Sequence, residues 1–290
     1  MAKGRELKGR IKSVENTRKI TRTMEMVAAS KMKRAMDRVI AARPYAKSLG
    51  EVMSRLYSPE LAERFPLLRQ PAQTRRAAVL LITANRGLSG AFNANLIRES
   101  RNLLSQLERS GVEVELHIVG RKGLGYYRYI GRGVASSRTD IGDRPSAQDA
   151  SQLVDGLMDA FEKGRLDAVY IVHANFKSAI STPPTTERIL PVAPPESAEG
   201  KGKQHDYLLF PSAEEILSAL LPAYVRNMVY RALVENTAAF YSAQRTAMKN
   251  ATDNATDMLN ILRRTYNRAR QANITQEIAE IVGGAAALQG

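Results

Sequence analysis

A stretch of 60 residues without Gly or Pro, from Ala223 to Val282, limits the possible fold of this chain more than any other feature. Gly and Pro are the residues least compatible with a helix interior, so the stretch is predicted to form one continuous helix. At 1.5 Å per residue that helix would be about 90 Å long, which exceeds the size of a compact domain. Helices of this length usually belong to coiled coils, membrane spans or repeats. We therefore expect a projecting helix that pairs with another helix.

The expected partner is a second stretch without Gly or Pro, Arg10 to Arg43, which is rich in Lys, Arg, Met, Glu and Ala. These residues are strong helix formers. Apolar residues at the coiled-coil steps of four, three and four are Ala28, Met32, Ala35 and Val39. A similar stripe on a shifted face contains Ile20, Met24 and Val27. Pro44 is predicted to kink or restart the helix, which then ends near Tyr57.

The C-terminal helix keeps a coiled-coil spacing only in its first half. The residues that keep it are Val225, Val229, Ala232, Ala239 and Ala243. Further along, polar residues are predicted to fill the seam: Thr246, Asn250, Asn254 and Asp257. The two ends of the chain are therefore expected to form an antiparallel coiled coil with a thin interface of small residues. One helix of an ordinary bundle is the alternative.

The segment between these helices alternates predicted strands with predicted helices. The strands are Ala77–Ala84, Val112–Gly120, Asp167–Phe176 and Thr185–Pro194, and the helices are Asn93–Arg109 and Ala147–Lys163. Such alternation predicts a right-handed α/β sheet. The expected fold is α/β with a long coiled coil. It consists of an N-terminal coiled-coil helix (1–59), an inserted Rossmann-like α/β globular domain (75–210) and a long C-terminal helix (211–290).

Composition narrows the functional classes. With 44% hydrophobic and 25% charged residues, the chain is typical of soluble globular proteins, and no apolar run approaches the roughly 18 residues of a membrane span. The absence of cysteine excludes disulfides and thiolate metal sites. Residues 1–59 contain 15 Lys and Arg against 5 Asp and Glu, and so supply +10 of the net charge of +14. This concentrated charge favours nucleic acid, an anionic membrane surface or an acidic protein as partner.

The sequence contains no recognisable motif for catalysis or for a cofactor. Gly87 and Gly90 in "NRGLSGAFN" lack the three-glycine spacing of a dinucleotide fingerprint, and "GRKGLG" has that spacing reversed. No Gly-Lys-Ser/Thr of a phosphate-binding loop follows either one. The three histidines occur singly, and no carboxylate cluster has metal-ligand spacing. We predict no catalytic residue, no cofactor and no metal.

Three separated segments resemble the gamma subunit of the rotary F-type ATP synthase. They are "KITRTMEMVAASKM" near the N-terminus, the central "RGLSGAFN", and the C-terminal "ITQEIAEIVGGAA". In the last segment the family's signature spacing is matched by Ile274, Thr275, Glu277, Glu280, Gly284 and Ala285. The likeness covers essentially the whole chain. One departure is Asn85, where the family usually has Asp before the "RGL" turn, and this weakens any functional inference for that turn.

The resemblance implies a central rotor stalk without catalytic residues of its own. It would couple rotation driven by transmembrane proton flow to ATP synthesis or hydrolysis at the beta-subunit catalytic sites, and would influence regulation of the ATPase. The implied partners are the alpha and beta subunits of the F1 ring, the epsilon subunit and the c-subunit ring. The implied location is peripheral, at the cytoplasmic face of the bacterial inner membrane. The alternative is a nucleic-acid-binding protein with a basic helical arm, although that arm lacks interleaved aromatic residues and a groove-reading motif.

Charge and resemblance together select nine candidate partner contacts: Arg22, Met24, Lys31, Lys33, Arg34, Arg270, Gln271, Thr275 and Glu277. The basic residues are expected to face acidic loops of beta subunits, and a merely solvated face is the alternative. Met24 is expected to abut a beta subunit or to fill the seam. The four C-terminal candidates, from Arg270 to Glu277, are expected to form a set of polar contacts on the last helix. Ile278 to Leu288 would then be the apolar tip of an axle.

Overall fold

The computed structural model of the chain describes residues 2–56, 64–193 and 212–289. Two long helices dominate the secondary structure: α1 (Ala2–Leu56) and α5 (Ala213–Gln289). The chain folds as two compact units, one of residues 1–29 with 244–290 and one of residues 30–243. Each long helix contributes residues to both units. Within the described residues, no helix is long and apolar enough to cross a membrane.

Helix α1 continues through Pro44, so of the two outcomes predicted at this residue, a kink or a restart, the restart does not occur. Proline removes one backbone hydrogen bond and crowds the preceding turn. The turns on either side are held by buried side chains, with Val39 at 3% and Leu49 at 6% exposure. Burial on both sides of a proline compensates for one missing bond, because most helix stability in proteins comes from packing.

A five-stranded sheet forms the centre of the larger unit. Its strands are β1 (Arg76–Ile82), β2 (Glu113–Val119), β3 (Ser136–Arg138), β4 (Ala168–Ala174) and β5 (Pro184–Leu190). The helices between them are α2 (Phe92–Arg109), α3 (Arg121–Tyr129) and α4 (Ala147–Glu162). The strand order is β3-β2-β1-β4-β5; the first four strands are parallel and β5 is antiparallel to β4. In the centre, Val79 pairs with Leu116 on one side and with Tyr170 on the other.

Both faces of the sheet are covered, as expected for a mostly parallel sheet. Alternate residues of β1 belong to two different cores. Leu80 packs in the core that contains Phe161 of α4 and Val229 of α5. Leu81 packs in the core that contains Leu96 of α2 and Met32 of α1. The predicted fold class, an α/β domain with two long helices, is confirmed.

Two elements of the sheet domain were not predicted, namely α3 and the short β3. The glycine-rich "GRKGLG" is typical of a turn, yet it begins a helix. Tyr127 of that helix is fully buried and its hydroxyl lies 2.7 Å from the Ser100 hydroxyl. Gly123 brings the helix close to β1, because a Cβ here would lie 2.9 Å from Thr83 Oγ1. Tertiary packing therefore overrides the low helix propensity of the segment.

In the smaller unit the seam of α5 differs from the prediction. The predicted polar seam residues, Thr246, Asn250, Asn254 and Asp257, are exposed. The buried residues are Met248, Thr252, Ala255 and Leu259, which again follow steps of four, three and four. The packed spacing therefore continues in a shifted register, in which Met248, Ala255 and Leu259 face inwards while Met258 and Ile261 stay exposed.

On α1 the same unit buries Thr21 and Ala28, whereas Ile20 and Val27 are 60% and 51% exposed. The shifted apolar stripe predicted for this helix is therefore not its packed face. The Thr21 and Thr252 hydroxyl oxygens lie 2.8 Å apart across the pair of helices. A small hydroxyl pair at this position fits the thin interface expected from the sequence.

Candidate partner-contact surfaces

A cluster of charged side chains surrounds Asp143 in the larger unit. We name it the Asp143 cluster; Lys31, Arg34, Arg38, Asp143, Arg144 and Tyr241 line its cavity of about 130 Å³. Lys31 Nζ lies 2.7 Å from Asp143 Oδ2 and 3.3 Å from the Tyr241 hydroxyl. The same ammonium lies 5.2 Å from the centre of the Tyr241 ring. Arg38 donates a hydrogen bond to the Asp143 carbonyl oxygen at 2.9 Å.

These contacts fix the charges of the two acidic groups. Burial opposes ionisation of Asp143, but hydrogen bonds from Lys31 and Tyr241 outweigh it and hold the pKa of the carboxyl below its usual range. Burial, reinforced by the hydrogen bond to Asp143, raises the pKa of Tyr241 above its usual range. At neutral pH the cluster therefore holds one carboxylate, a neutral tyrosine and several cations. An acidic group of a partner is the charge that this surface would attract.

The three basic residues predicted for this part of α1 do not share one environment. Lys31 is half-buried and bound to Asp143, whereas Lys33 and Arg34 are exposed. Arg34 donates to the Ser30 hydroxyl of its own helix at 3.3 Å. Lys31 therefore attaches α1 to the sheet domain, and Lys33 and Arg34 are accessible. Sequence reasoning missed Asp143, because this partner is 112 residues away from Lys31 along the chain.

In the smaller unit, the structure places Arg22 and Met24 on different sides of the buried seam residue Thr21. Arg22 is exposed and Met24 is half-buried. A half-buried methionine is consistent with either of the two roles that the sequence left open, seam filling or partner contact. Met adapts its shape to irregular surroundings and suits both.

The C-terminal candidates all lie on the surface of α5. Arg270, Gln271, Thr275 and Glu277 are exposed. The Thr275 hydroxyl donates to the Gln271 carbonyl oxygen at 3.0 Å, one turn earlier in the helix. Among the described residues, no ion pair joins Arg270 to Glu277. The side-chain hydrogen-bonding groups of Arg270 and Glu277 are therefore available to another chain.

Apolar side chains are interspersed with this polar set. Exposure is 47% for Ile274, 56% for Ile278 and 71% for Ile281. Their steps of four and three place them on one face of the helix. Large apolar surfaces of this kind mark contacts with other proteins. The end of α5 therefore carries a polar set together with an apolar stripe that this chain does not cover.

The loop at the start of α3 is glycine-rich but follows β2 and not the first strand, whose turn holds the phosphate in dinucleotide-binding proteins. Here its amides bind the chain itself. Arg121 N donates to Asn85 Oδ1 at 3.0 Å, and Gly123 N donates to Thr83 Oγ1 at 3.0 Å. A Cβ at Gly120, where φ is +97°, would lie 2.2 Å from the Thr83 carbonyl oxygen. These glycines allow close packing of helix on strand.

Asn85 connects three parts of the sheet domain. Besides accepting from Arg121 N, its amide donates to the Ile141 carbonyl oxygen at 2.9 Å. An amide can accept and donate in this way, whereas the ionised aspartate that is usual in the family that this sequence resembles could only accept. Ile141 lies two residues before Asp143. By binding Ile141, Asn85 therefore holds the loop whose Asp143 forms the ion pair with Lys31. No local pattern in the sequence signals this role.

Comparison with known proteins settles the family. A family model described as ATP synthase matches residues 3–288. The ATP synthase gamma chain of Gemmatimonas aurantiaca is 68% identical over 290 residues and covers the full length of both chains. The chain belongs to the ATP synthase gamma chain family. The gamma chain of one Acidithiobacillus ferrooxidans strain is 44% identical, with 99% of this chain and 100% of the relative covered.

Solved structures share the gamma-chain fold. The rotor of the Euglena gracilis mitochondrial ATP synthase matches with a TM-score of 0.66 and 20% identity, covering 94% of this chain and 99% of the other. The central stalk and c-ring structure of the Tetrahymena thermophila enzyme gives 0.61 and 23%, covering 80% and 99%.

The family assignment decides between the two functional hypotheses. As a gamma chain, this protein is the rotor stalk of an ATP synthase and a non-catalytic, peripheral subunit of its F1 part. The nucleic-acid-binding alternative finds no support in the comparisons. The positive charge of residues 1–59 therefore belongs to a rotor subunit.

Proposed function

We propose that this gamma chain couples rotation to ATP synthesis and hydrolysis through two unlike surfaces that it presents to the alpha and beta subunits. The first surface is basic and contains Arg22, Lys31, Lys33 and Arg34, with Met24 beside them. The second is the polar set of α5, Arg270, Gln271, Thr275 and Glu277, followed by the apolar tip from Ile278 to Leu288. The epsilon subunit and the c-ring complete the partners, and the assembly belongs at the cytoplasmic face of a bacterial inner membrane. In this proposal residues 1–59 and 211–290 form the shaft, and residues 75–210 form the globular domain.

The observation that carries this proposal is the exposure of the polar set. Arg270 and Glu277 have no ion-pair partner among the described residues and lie beside exposed isoleucines. Directional hydrogen bonds from such groups differ in energy between one rotor orientation and another, and an apolar tip adds contact area without such direction. A shaft with equal contacts in every orientation would shift no catalytic equilibrium. The polar set is therefore the part that distinguishes the beta-subunit conformations.

The test compares loss of the polar set with loss of the tip. Replacing both Arg270 and Gln271 by Ala should lower membrane ATP synthesis or subunit content more than truncation after Ala279. A matched control replaces Arg109 and Gln106 of α2, which are an exposed Arg and an exposed Gln of the sheet domain. This control should behave as wild type. A dead truncation beside a normal Arg270→Ala, Gln271→Ala variant would overturn the assignment.

The basic surface is proposed to act through many weak contacts. Exposed ion pairs contribute only about 0–1 kcal/mol each, which suits an interface that is broken and remade during every rotation. Neutralising Lys33 or Arg34 singly should therefore leave ATP-driven rotation nearly intact. If one such change abolished rotation, the proposal that the basic surface acts through many weak contacts would be contradicted. Lys31 is a special case, because its neutralisation also removes the anchor to Asp143.

Met24 supplies a separate test of coupling. A lysine at this half-buried position would add a charged contact whose energy differs between orientations. Met24→Lys should impair coupling more than binding, so that ATP hydrolysis continues while proton pumping in membrane vesicles falls. Hydrolysis together with unchanged pumping would refute this role.

A further inference from the structure

A cavity of about 320 Å³ lies at the carboxyl edge of the sheet. We name it the β1 cavity, because residues 83–86, which directly follow β1, form one side of it. The strand order places β2 and β3 on one side of β1, and β4 and β5 on the other. Ligands of open α/β sheets bind where the strand order changes sides, beyond the carboxyl ends of the strands. The β1 cavity occupies this position, and its volume is within the range of small-molecule sites.

A buried amide of α5 lines the cavity and has a free donor. Asn236 is 4% exposed, and its Oδ1 accepts a hydrogen bond from Ala174 N, at the end of β4, at 3.1 Å. This bond fixes the orientation of the amide, because a backbone N–H can bond only to the oxygen. Asn236 Nδ2 makes no hydrogen bond within residues 2–56, 64–193 and 212–289. A buried donor without a partner is costly, so Asn236 offers this donor to a ligand in the cavity.

Two arginines give the cavity an unpaired positive charge. Arg86 follows β1 and Arg121 begins α3, and both side chains are exposed where the cavity meets solvent. In the described part of the chain, neither guanidinium makes a hydrogen bond or an ion pair. Lys122 is a further cation nearby, since its Nζ would lie 3.6 Å from a Cβ at Gly87. Guanidinium groups bind phosphate through paired N–H donors, so a phosphate is the anion that this pair fits.

One carboxylate, Asp143, is found among the described residues that line the cavity. Its charge is offset from the side of α1, because Lys31 Nζ lies 2.7 Å from Asp143 Oδ2. The charges of Lys31, Asp143, Arg86 and Arg121 therefore sum to a positive value. Clefts lined by charges of one sign attract ligands of the opposite sign.

The wall of the cavity is largely apolar. Ile82, Val119, Leu233 and Phe240 line it, and all four are buried. The Thr237 hydroxyl also lines it but donates to the Leu233 carbonyl oxygen at 2.9 Å, so it can only accept from a ligand. A bare inorganic ion would leave the apolar wall uncovered. The lining therefore fits a molecule that carries both a phosphate and an organic part.

We propose that the β1 cavity binds a small organic phosphate of about the size of a mononucleotide. The phosphate faces Arg86 and Arg121, and the organic part lies against the apolar wall and accepts a hydrogen bond from Asn236 Nδ2. A phosphate-loop motif does not signal this site, because side chains bind the phosphate while the amides of Arg121 and Gly123 are bonded to the chain itself. The site is additional to the rotor function and does not depend on the partner contacts proposed above.

The test titrates the full-length chain with AMP at low salt by isothermal titration calorimetry. AMP should bind at one site per chain. Inorganic phosphate lacks the organic part and adenosine lacks the phosphate, so each should bind about tenfold more weakly or worse. Absence of AMP binding at millimolar concentration would overturn the proposal, as would equal affinities for AMP and inorganic phosphate.

Two pairs of arginine substitutions locate the site. Arg86→Ala combined with Arg121→Ala should weaken AMP binding about tenfold or more, because charge-assisted hydrogen bonds are lost. The matched control combines Arg101→Ala with Arg128→Ala, which removes the same charge from exposed positions of α2 and α3 outside the cavity. The control should keep the wild-type affinity within about twofold, since water and salt screen distant charges. Equal losses in the two pairs, or no loss in the first, would contradict binding in the β1 cavity.

Asn236→Asp tests the buried end of the site. The substitution keeps an oxygen for Ala174 N and replaces the Nδ2 donor by an oxygen that carries negative charge. It should weaken AMP binding at least as much as the loss of both arginines, in a chain whose fold is checked by circular dichroism. Wild-type affinity in a folded Asn236→Asp chain would overturn the assignment of Asn236; if this variant does not fold, the comparison of the two arginine pairs decides.

Discussion

Asn85→Asp is the substitution whose effect the geometry defines most sharply. The change replaces the side-chain NH2 group by an oxygen and keeps the size and shape of the side chain. It keeps the acceptor for Arg121 N and removes the donor to the Ile141 carbonyl oxygen, which is now 2.9 Å away. A carboxylate oxygen would then face a carbonyl oxygen, and both are acceptors. The loop at Ile141 is expected to move away, and Asp143 moves with it.

The magnitude follows from two opposing terms. Leaving a partly buried acceptor without its donor costs about 1–3 kcal/mol. The new charge recovers part of this through a stronger bond from Arg121 N. It is also attracted by the Arg86 and Arg121 side chains that line the same cleft, worth about 0–1 kcal/mol at an accessible site. We expect a net loss of about 1–2 kcal/mol, or about 2–8 °C in the unfolding temperature.

A neighbouring asparagine offers a matched control. Asn93 Oδ1 accepts from Ala84 N at 3.0 Å, and Asn93 Nδ2 makes only a 3.4 Å contact with the Arg86 carbonyl oxygen. Asn93→Asp therefore keeps the hydrogen bond from Ala84 N and should lower the unfolding temperature clearly less than Asn85→Asp does. Thermal unfolding of both full-length variants at neutral pH makes the comparison. Equal losses, or a stabilised Asn85→Asp, would refute the assignment of Asn85 as the holder of the loop.

Three further predictions concern stability. Leu259→Ala should lower the free energy of unfolding by about 2–5 kcal/mol, because Leu259 is 1% exposed in a thin seam. Ile261 is 63% exposed, so Ile261→Ala should change the unfolding temperature of the free chain little. Gly120→Ala should prevent normal folding or expression, because its Cβ would lie 2.2 Å from the Thr83 carbonyl oxygen at a φ of +97°; a well-folded variant by circular dichroism would contradict this. Asp143 has a lowered pKa, so its stabilisation is present above about pH 4 and is lost as the pH falls below that value; Asp143→Asn should remove this part of the acid sensitivity in unfolding measured from pH 3 to 7.

The sequence predicted the long helices and the main strands because their signals are local. The strand over Ala77–Ala84 differs from the observed β1 by only one or two residues at each end. Long stretches without Gly and Pro leave few alternatives to a helix. What could not be predicted depends on contacts between distant segments. The helix at Arg121 forms because Tyr127 fills a core, and no local pattern contains that information.

The same distinction applies to the contact residues. Surface exposure of Arg270 and Gln271 follows from their polarity and position on a long helix. The environment of Lys31 does not, because nothing in the neighbouring sequence points to Asp143 or Tyr241. The shifted seam at Met248 and Leu259 was missed for a related reason. A change of register by one or two residues suffices to exchange buried and exposed residues on a helix, and only the packed partner selects the register.

The exposed end of α5 has a consequence for how the molecule is made. From Asn260 to Ala285 no side chain is buried. Helices in proteins owe most of their stability to a packed face, and Gly283 and Gly284 add flexibility near the end. In the newly synthesised chain this segment should therefore be poorly protected against hydrogen exchange and proteolysis. In the assembly proposed above, its helix becomes fully stable only when the alpha and beta subunits enclose it, so that folding of this segment and assembly of the enzyme are one coupled step.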